Sequence, residues 1–538
     1  MAIFLSKILT LGSISYILQY QLYIGSEDLE EKLLKAEHEL TALKEHHIQL
    51  QELFISIIEK MFKKVPQPEY EKLRRRIGNN IQEFWYFINS EISKLKNMDL
   101  STDLISTFDN VLSMGIQQKR TLTNDIERII LFDGFNEWRI NEIKNLSDIV
   151  QKRLRYLQNP VDCKNSKKLV CHINYSCGFG CQIHHLVSCM IVAYGTQRTL
   201  ILKSNNWRYH NAGWEEIFLP LSHSCTEIYD AIPVKWPGTN NSQVIMIPTE
   251  VSILPRPKYL PLVVPEDLAS RLITVHGNPI VWWIGQIIKY IWKPQNITSS
   301  YIENKMDELQ IQNPYVGVHI RRTDKIGTEA SFHDVKEYMK KVDEFYNQID
   351  INGNLTTRRV YIATDDFNTI IEAQNKYPHY EIIYNPDIPK VPISDSLHSS
   401  DNIFSIILDL HALSHSDFLV CTFSSNICRL AYELMQIDHV DASAKFASLD
   451  DVYYYSQQDT NRRKTIIRHQ AQTPKEIDLL PGDIVHIAGN HWDGYSLGTN
   501  LRTNKFGLYP SFKVDIETEV ISFPIYSEID NKEINAQY

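Results

Sequence analysis

The run VGVHIRRTDKIGTE, Val316 to Glu329, is an apolar strand that ends in a cluster of charge. Side chains alternate along a strand, so Val316, Val318 and Ile320 share one face, while Gly317, His319 and Arg321 share the other. Arg322, Asp324, Lys325 and Glu329 follow where the strand should end. In open α/β sheets ligands bind beyond the carboxyl ends of strands. Adjacent arginines there suit an anion, most naturally a phosphate or diphosphate. A solvated, salt-bridged strand end is the plainer reading of an isolated Arg-Arg pair. His-x-Arg-Arg-x-Asp-Lys after an apolar strand is a rarer order. Two further strand ends carry polar residues, Thr364-Asp365-Asp366 and Thr422-Phe423-Ser424-Ser425-Asn426. Several such ends meeting at one edge make an active site.

These three ends belong to an alternating pattern between Pro314 and Ala447. Strands are predicted at Val316–Ile320, Arg359–Ala363, Tyr380–Tyr384 and Asp417–Thr422. Helices are predicted at Val335–Phe345, Thr369–Lys376, Ile403–Ser414 and Asn426–Met435. Strand–helix alternation indicates a parallel, doubly wound, Rossmann-like sheet. Upstream, Leu169–Ile173 and Thr199–Lys203 read as short buried strands and His184–Tyr194 as a helix. The turn Cys177-Gly178-Phe179-Gly180-Cys181 precedes that helix. Its glycines permit close approach to a ligand, or they form a tight turn pinned by a disulfide.

Six of the eight cysteines lie between Cys163 and Cys225, and the others are Cys421 and Cys428. An even number clustered in one segment suggests disulfides in an oxidising compartment. Zinc is the rival, because Cys177-x3-Cys181 with His184 and His185 offers plausible ligands.

The remainder of the chain must support that centre. At 538 residues it exceeds one core and implies several domains. A formal charge of −10 argues against a general nucleic-acid binder. Ile3 to Ile24 is apolar enough to span a bilayer, and no cleavage site follows it, so the expected topology is a short cytoplasmic end, one span and a luminal remainder. Sequons at Asn145, Asn174, Asn240, Asn296 and Asn354 are compatible with a lumen. Leu29, Leu33, Ala36, Leu40, Leu43, His47, Leu50, Phe54, Ile57 and Met61 form an a/d seam, predicting a dimeric coiled coil. Packing of that helix on its own globular domain is the alternative. Helical patterns resume from Tyr70 to Tyr156, including Ile81–Leu95 and Ile126–Leu157. From Ile466 to Val520 the chain resembles an SH3 barrel, with Leu480-Pro481-Gly482-Asp483, His491-Trp492-Asp493-Gly494-Tyr495 and Gly507-Leu508-Tyr509-Pro510-Ser511. The aromatic pair of a peptide groove is replaced by His469-Gln470-Ala471-Gln472, which argues against PxxP binding.

The expected organisation is therefore a cytoplasmic end and anchor at 1–25 and a helical stem at 26–158. A disulfide-bearing α/β subdomain at 159–312 and a Rossmann-like subdomain at 313–460 come next. An SH3-like domain at 461–522 and a tail at 523–538 complete the chain.

Taken together, the strings VDCxxxKKLVCxIN, YGTQRTLIL, NWRY, VPEDLA, VHGxPxVWW, GVHIRRTDKIGTEASFH, YIATDD, DFLVCTFSS and AGNHWDGYS resemble the α1,6-fucosyltransferase family that adds core fucose to N-glycans. The resemblance covers nearly everything after the anchor. It implies inverting transfer of L-fucose from GDP-β-L-fucose to the 6-hydroxyl of the innermost GlcNAc. No metal or other cofactor is implied, with Arg321 facing the diphosphate instead. It implies pairings Cys163–Cys225, Cys171–Cys189, Cys177–Cys181 and Cys421–Cys428. His319 and Asp409 would recognise guanine, and Tyr209 would lie against the nucleotide. Arg321 and Ser425 would hold the β-phosphate, with Arg322, Asp365 and Asp366 as donor-site support. Glu329 would be the base, with Lys325 positioning it and the acceptor. Tyr338 and His491 would face the acceptor. The implied setting is a Golgi single-pass type II membrane protein, dimeric, acting on N-glycoproteins and not on nucleic acid.

Asn426 replaces the family's usual Gln beside the fucose, Tyr175 and Phe179 replace Lys and Tyr near the acceptor, and the loop Pro386–Asn402 is poorly matched. Two rival functions remain: fucose transfer to another acceptor such as chitin oligosaccharide or protein, and a non-catalytic coiled-coil and SH3 adaptor.

Overall fold

The computed structural model describes residues 38–53, 65–249, 252–322, 331–353, 356–387, 400–455, 461–526 and 529. The chain divides into two compact units, Met1–Val65 and Pro66–Tyr538. In the first, residues 38–53 are helical, and Leu40, Leu43 and Leu50 of the expected seam are exposed. The rest of that seam and the candidate membrane span lie outside the described residues. Among the described residues no helix is long and apolar enough to cross a membrane.

The second unit opens with α1 (Pro68–Lys96), α2 (Thr102–Phe132) and α3 (Asn136–Gln158). The single helical run expected over Ile126–Leu157 is broken between α2 and α3, where Gly134 takes φ +73°. A charge cluster ties the hairpin together. Arg139 Nε donates to Glu71 Oε1 at 2.9 Å and its Nη1 to Asp133 Oδ1 at 3.2 Å, while Arg74 donates to Glu71 Oε2 at 2.9 Å. Glu71 and Arg139 are buried. The expected stem boundary near residue 158 differs from the packing. Leu146, Val150 and Leu154 of α3 are fully buried in the main core beside Leu186, Met190 and Ile284. A helix that packs on a sheet carries the same apolar periodicity as a stem helix, so the pattern does not separate them.

Next comes a parallel four-stranded sheet of order β2-β1-β4-β3, from β1 (Lys168–His172), β2 (Thr199–Lys203), β3 (Val234–Lys235) and β4 (Val244–Met246). Between its first two strands α4 (Phe179–Gly195) is buried on every side, as its nearly continuous apolar sequence requires. After β5 (Val263–Pro265) come α5 (Glu266–Val275), α6 (Pro279–Ile291) and α7 (Asn296–Leu309). The Asn278 side chain and Pro279 start α6 by capping and by a preset φ.

A second parallel sheet has order β10-β9-β6-β7-β8. Its strands are β6 (Tyr315–Ile320), β7 (Arg359–Thr364), β8 (Glu381–Ile383), β9 (Phe418–Cys421) and β10 (Phe446–Ser448). The helices between them are α8 (Val335–Ile349), α9 (Phe367–Lys376), α10 (Ser400–Ser414) and α11 (Asn426–Asp438). Asp334 and Glu337 close a capping box at the head of α8. All six residues of β6 are buried, as a sheet covered on both faces demands. Val316, Val318 and Ile320 pack with Val335, Met339 and Val342 of α8. A Cβ on Gly317 would meet Ser416 and Leu413 on the opposite side. The expected doubly wound architecture is thus present.

The last sheet is antiparallel, of order β14-β13-β12-β11-β15, from β11 (Arg462–Thr465), β12 (Ile484–Asn490), β13 (Tyr495–Asn500), β14 (Lys505–Pro510) and β15 (Val514–Ile516). It does not keep everything to 522. β16 (Glu519–Ile521) leaves it and pairs in parallel with β5. Nor does the expected tail begin free. Phe523 and Tyr526 are buried against Tyr194, and the Tyr526 hydroxyl donates to the Tyr194 carbonyl at 2.9 Å. Short β-forming runs carry no sequence mark of which sheet they join.

Arg139→Met should remove the partner that Glu71 and Asp133 share, leaving Glu71 to Arg74 and Asp133 to Tyr70, and cost about 1.5–3 kcal/mol. Chemical denaturation should show an earlier first transition. An unchanged curve would remove Glu71–Arg139–Asp133 from the interactions that hold α1 to α3.

Candidate active site

Three strand ends of the second sheet meet at one edge. In register, Ile320 faces Thr364 of β7, and Val318 faces Val420 of β9. The residues that follow β6, β7 and β9 therefore emerge side by side, one strand spacing apart. Asp365 joins two of them. Its Oδ1 accepts from the Arg322 backbone N–H at 2.8 Å, and its Oδ2 lies 3.2 Å from Arg321 Nη1. Asp365 thus aims the Arg321 guanidinium, a planar fork whose geometry matches that of a phosphate or carboxylate. The Arg322 guanidinium lies over the Phe332 ring at 4.0 Å, so it braces the chain beyond residue 330. Asp366 caps α9 through Asn368 N–H at 3.0 Å. The two neighbouring acids therefore serve different partners.

Beyond β9, Thr422–Ser425 forms the turn into α11, and Ser425 is its N-cap residue with its N–H on Thr422 O at 3.0 Å. A helix N-terminus favours negative charge. Asp450 holds this turn in place: its carboxylate accepts from Phe423 N–H at 2.7 Å, Ser424 N–H at 3.2 Å and the Ser448 hydroxyl at 3.0 Å. Asp450 was missed by the sequence reading. Its only signal is an acid pair, Asp450-Asp451, just past β10, the strand beside β9. Tyr338 of α8 is buried, with the Thr422 hydroxyl beside its own; burial raises its pKa. Its ring is part of the packing under this turn.

His319 lies on the α10 face of the sheet. It pairs with Ala363, two residues from Tyr361, and the Tyr361 hydroxyl donates to Asp409 Oδ1 of α10 at 2.6 Å. Burial pushes the His319 pKa down to about 4, helped by Arg321, so the ring is neutral at pH 7. Its Nδ1 is buried without a hydrogen-bond partner. Burial pushes Asp409 the other way, up to about 7. A neutral imidazole and a half-ionised acid on one face suit a neutral heterocycle better than a charged group.

The first sheet contributes differently from expectation. Tyr209 is buried edge-on to Phe179 at 5.3 Å, and Phe179 also packs on Trp207 and Trp292. Phe179 is therefore a core residue, and its ring is not offered to an acceptor. Tyr175 stands edge-on to His185 at 4.9 Å. The glycine turn is explained by protein contact: a Cβ on Gly180 would lie 2.8 Å from Asn426 Cβ and 2.9 Å from its carbonyl, whereas Gly178 meets nothing. Asn426 Oδ1 accepts from Arg429 at 2.8 Å.

All eight cysteines are paired, Cys163–Cys225, Cys171–Cys189, Cys177–Cys181 and Cys421–Cys428. The thiolates that a zinc site at Cys177 and Cys181 requires are spent in that bond. His185 Nε2 sits 3.5 Å from both sulfurs of Cys171–Cys189.

Lys325 and Glu329 lie outside the described residues, as does most of the loop Pro386–Asn402. His491 is exposed on the β12–β13 turn. Trp492 beside it is turned inward onto Tyr86 of α1, with ring centroids 5.8 Å apart, so it is not free for a sugar. Asn490 donates to Glu83 at 3.1 Å, and Tyr495 packs on Phe87. A cavity of about 500 Å³ beside Trp492, lined by Trp85, Tyr86, Arg120, Lys341 and Glu344, touches none of the strand ends.

A family profile described as the N- and catalytic domains of alpha-(1,6)-fucosyltransferase matches residues 16–454. An alpha-(1,6)-fucosyltransferase of Drosophila melanogaster is 49% identical over 468 residues, covering 86% of this chain and 76% of that protein. One of Caenorhabditis elegans is 36% identical over 454 residues, covering 83% and 78%. The crystal structure of NodZ alpha-1,6-fucosyltransferase with GDP is 13% identical, covers 49% of this chain and 92% of its own, and superposes with a TM-score of 0.32.

Acid should destabilise this protein. Burial holds His185, His319 and His411 each at about 4. In an unfolded chain they protonate near 6.5, so stability falls as pH drops from about 6.5 towards 4. Asp409 opposes this, because its raised pKa favours the fold at low pH and loses that contribution between about 4 and 7. The melting temperature should drop on acidification, and His319→Gln should flatten the drop. An identical pH dependence in that variant would contradict a neutral buried His319.

Proposed function

The chain belongs to the α-(1,6)-fucosyltransferase family, and from that premise we propose that it moves L-fucose from GDP-β-L-fucose to the 6-hydroxyl of the innermost GlcNAc of N-glycans, with inversion. The observation that carries the donor half is Arg321, tethered by Asp365 at a strand edge beside the N-terminus of α11. The acceptor oxygen attacks the anomeric carbon while the bond from that carbon to the β-phosphate oxygen breaks. Glu329 takes the hydroxyl proton, with Lys325 positioning it, and GDP leaves with the bonding electrons. Arg321, Ser425 and the α11 N-terminus meet the negative charge that develops on the diphosphate, and no metal is needed. His319 and Asp409 read the guanine, and Tyr209 supports the nucleotide from the first sheet. Asp365 and Arg322 brace the arginine segment. Tyr338 and Asp366 act from behind it.

We read residues 461–516 as an SH3 barrel that serves the enzyme's own glycan chemistry. His491 faces the acceptor, while Trp492 docks the barrel on α1. The polar stretch at His469 supports this reading, since Glu476 accepts from both His469 and Gln472 N–H where a peptide groove would need aromatic faces. Four disulfides and the apolar run from Ile3 to Ile24 support a luminal enzyme anchored in the Golgi membrane. The Leu29–Met61 seam would pair two copies.

Arg321→Ala should lower kcat/KM by about 100- to 1000-fold while the melting curve is kept. Near-normal turnover would overturn the phosphate assignment. Wild-type transfer to an N-glycan bearing terminal GlcNAc should persist in EDTA and exceed transfer to chitin oligosaccharide. An absolute requirement for a divalent ion, or the opposite acceptor order, would reject the corresponding half of the proposal.

Asp409 must be ionised to accept from guanine N–H groups. With its pKa near 7, GDP-fucose affinity should rise about tenfold from pH 6 to pH 8. Asp409→Asn should weaken binding and abolish the slope in calorimetric titration. A flat wild-type profile would take Asp409 out of base recognition.

A further inference from the structure

His184 sits in the wall between the two α/β halves, on α4, facing the head of α11. Its Nε2 lies 2.9 Å from Glu433 Oε2 and its Nδ1 lies 3.1 Å from Asn426 Oδ1. His184 is 2% exposed and Glu433 0%. Hydrogen-bond logic places the Nδ1 proton. Arg429 Nη2 donates to the same Asn426 oxygen at 2.8 Å, and a guanidinium can only donate. That atom is therefore the amide oxygen and not the nitrogen, so His184 Nδ1 must donate to it. On the other side Glu433 Oε1 accepts from the Tyr453 hydroxyl at 2.6 Å, while its Oε2 faces His184 Nε2. One proton joins Nε2 to Glu433 Oε2, and that bond holds the ring with its Nδ1–H on Asn426.

The consequence falls on Asn426. Two donors hold its oxygen inward. Among the described residues no acceptor meets its amide nitrogen. The NH2 is the part left for a ligand, one residue beyond Ser425 at the helix N-terminus. Gly180 lets α4 come close enough for this contact, because any Cβ there would collide with Asn426.

We propose that His184 is a positioning residue of the donor site: a buried imidazole, held by Glu433, that orients the Asn426 amide so that its NH2 donates to the GDP-sugar. This rests on the donor reading given above. It adds that recognition of the donor is controlled from the other α/β half, by a residue that touches no substrate.

A double-mutant cycle on His184→Leu and Asn426→Ala, read in GDP-fucose KM and acceptor KM, tests it. Each single variant should raise donor KM by about tenfold, with acceptor KM unmoved. The double variant should be no worse than Asn426→Ala alone, because His184 acts through that amide. Additive losses, or equal losses for donor and acceptor, would overturn the proposal and leave a packing role. If His184→Leu does not fold, because buried Glu433 Oε2 is left without its imidazole partner, the cycle is run in a Glu433→Gln background. That position then keeps an oxygen for the Tyr453 hydroxyl. Gly180→Ala should reproduce the donor-specific loss by displacing Asn426, and a normal donor KM in that variant would count against the proposal. If Asn426→Ala and Arg321→Ala both leave donor kinetics intact, the donor reading itself fails. If Arg321→Ala alone is impaired, only the His184 inference fails.

Discussion

The structure depends on how closely α11 can approach the first α/β half. This helix starts at the edge where strand ends meet and runs back through the interior between the two sheets. Its buried face meets α4 at Asn426 and α6 at Glu433, whose carbonyl lies 2.8 Å from where a Cβ on Gly285 would stand. Gln436 bonds His276 at 3.0 Å. Two glycines on two different helices make these approaches possible, since any larger residue would push the backbones apart. One continuous core, from Leu146 to Tyr526, follows from that closeness. A helix packed this tightly gives its N-terminus a fixed address, which is what a site built on a helix end requires.

At the site itself, charge is arranged by a few acids that bind the protein and not the ligand. Asp365 spends both oxygens on the arginine segment. Asp450 spends its oxygens on the turn before α11. Asp366 closes α9. The positive elements they organise, the Arg321 guanidinium and the head of α11, are thereby held in position by the protein itself. Preorganised donors cost no reorganisation when charge develops, which is how electrostatic stabilisation lowers a barrier.

The outer elements are less separate than a string of modules suggests. The antiparallel sheet docks on α1 through Asn490, Trp492 and Tyr495, and β16 returns to β5. The residues after it insert aromatic rings beside Tyr194. Removing the carboxyl end would therefore open the main core at Phe523 and Tyr526, at a cost of about 1.5–3 kcal/mol for each buried ring. The helical hairpin is likewise tied in, with Arg75 donating to the carbonyls of Ile273 and Thr274 at the end of α5.

Local pattern determined the doubly wound sheet, four of its five strands to within a residue or two, and the edge at which Arg321, Asp365 and Ser425 emerge, while the short edge strand β10 carried no such mark. Alternation of apolar strands with amphipathic helices admits few other topologies, and polar residues just past parallel strands have one place to go. The strings shared with a known family carried the disulfide pairing, which spacing alone left open against zinc. Other features depend on contacts distant in sequence. Nothing local in Asn136–Gln158 says that this helix belongs to the core and not to a stem, because its stripe would be the same in either place. Nothing in Cys177-Gly178-Phe179-Gly180-Cys181 says that Gly180 makes room for Asn426, 246 positions away by subtraction of the residue numbers. His184 reads from sequence as one of two histidines near a cysteine pair. Only when α4 and α11 are brought together do Glu433 and Asn426 meet its two ring nitrogens, with Arg429 on the same Asn426 oxygen fixing Nδ1 as a donor. Periodicity records which face of an element is buried, while the partner on that face is chosen by packing and hydrogen bonding in three dimensions.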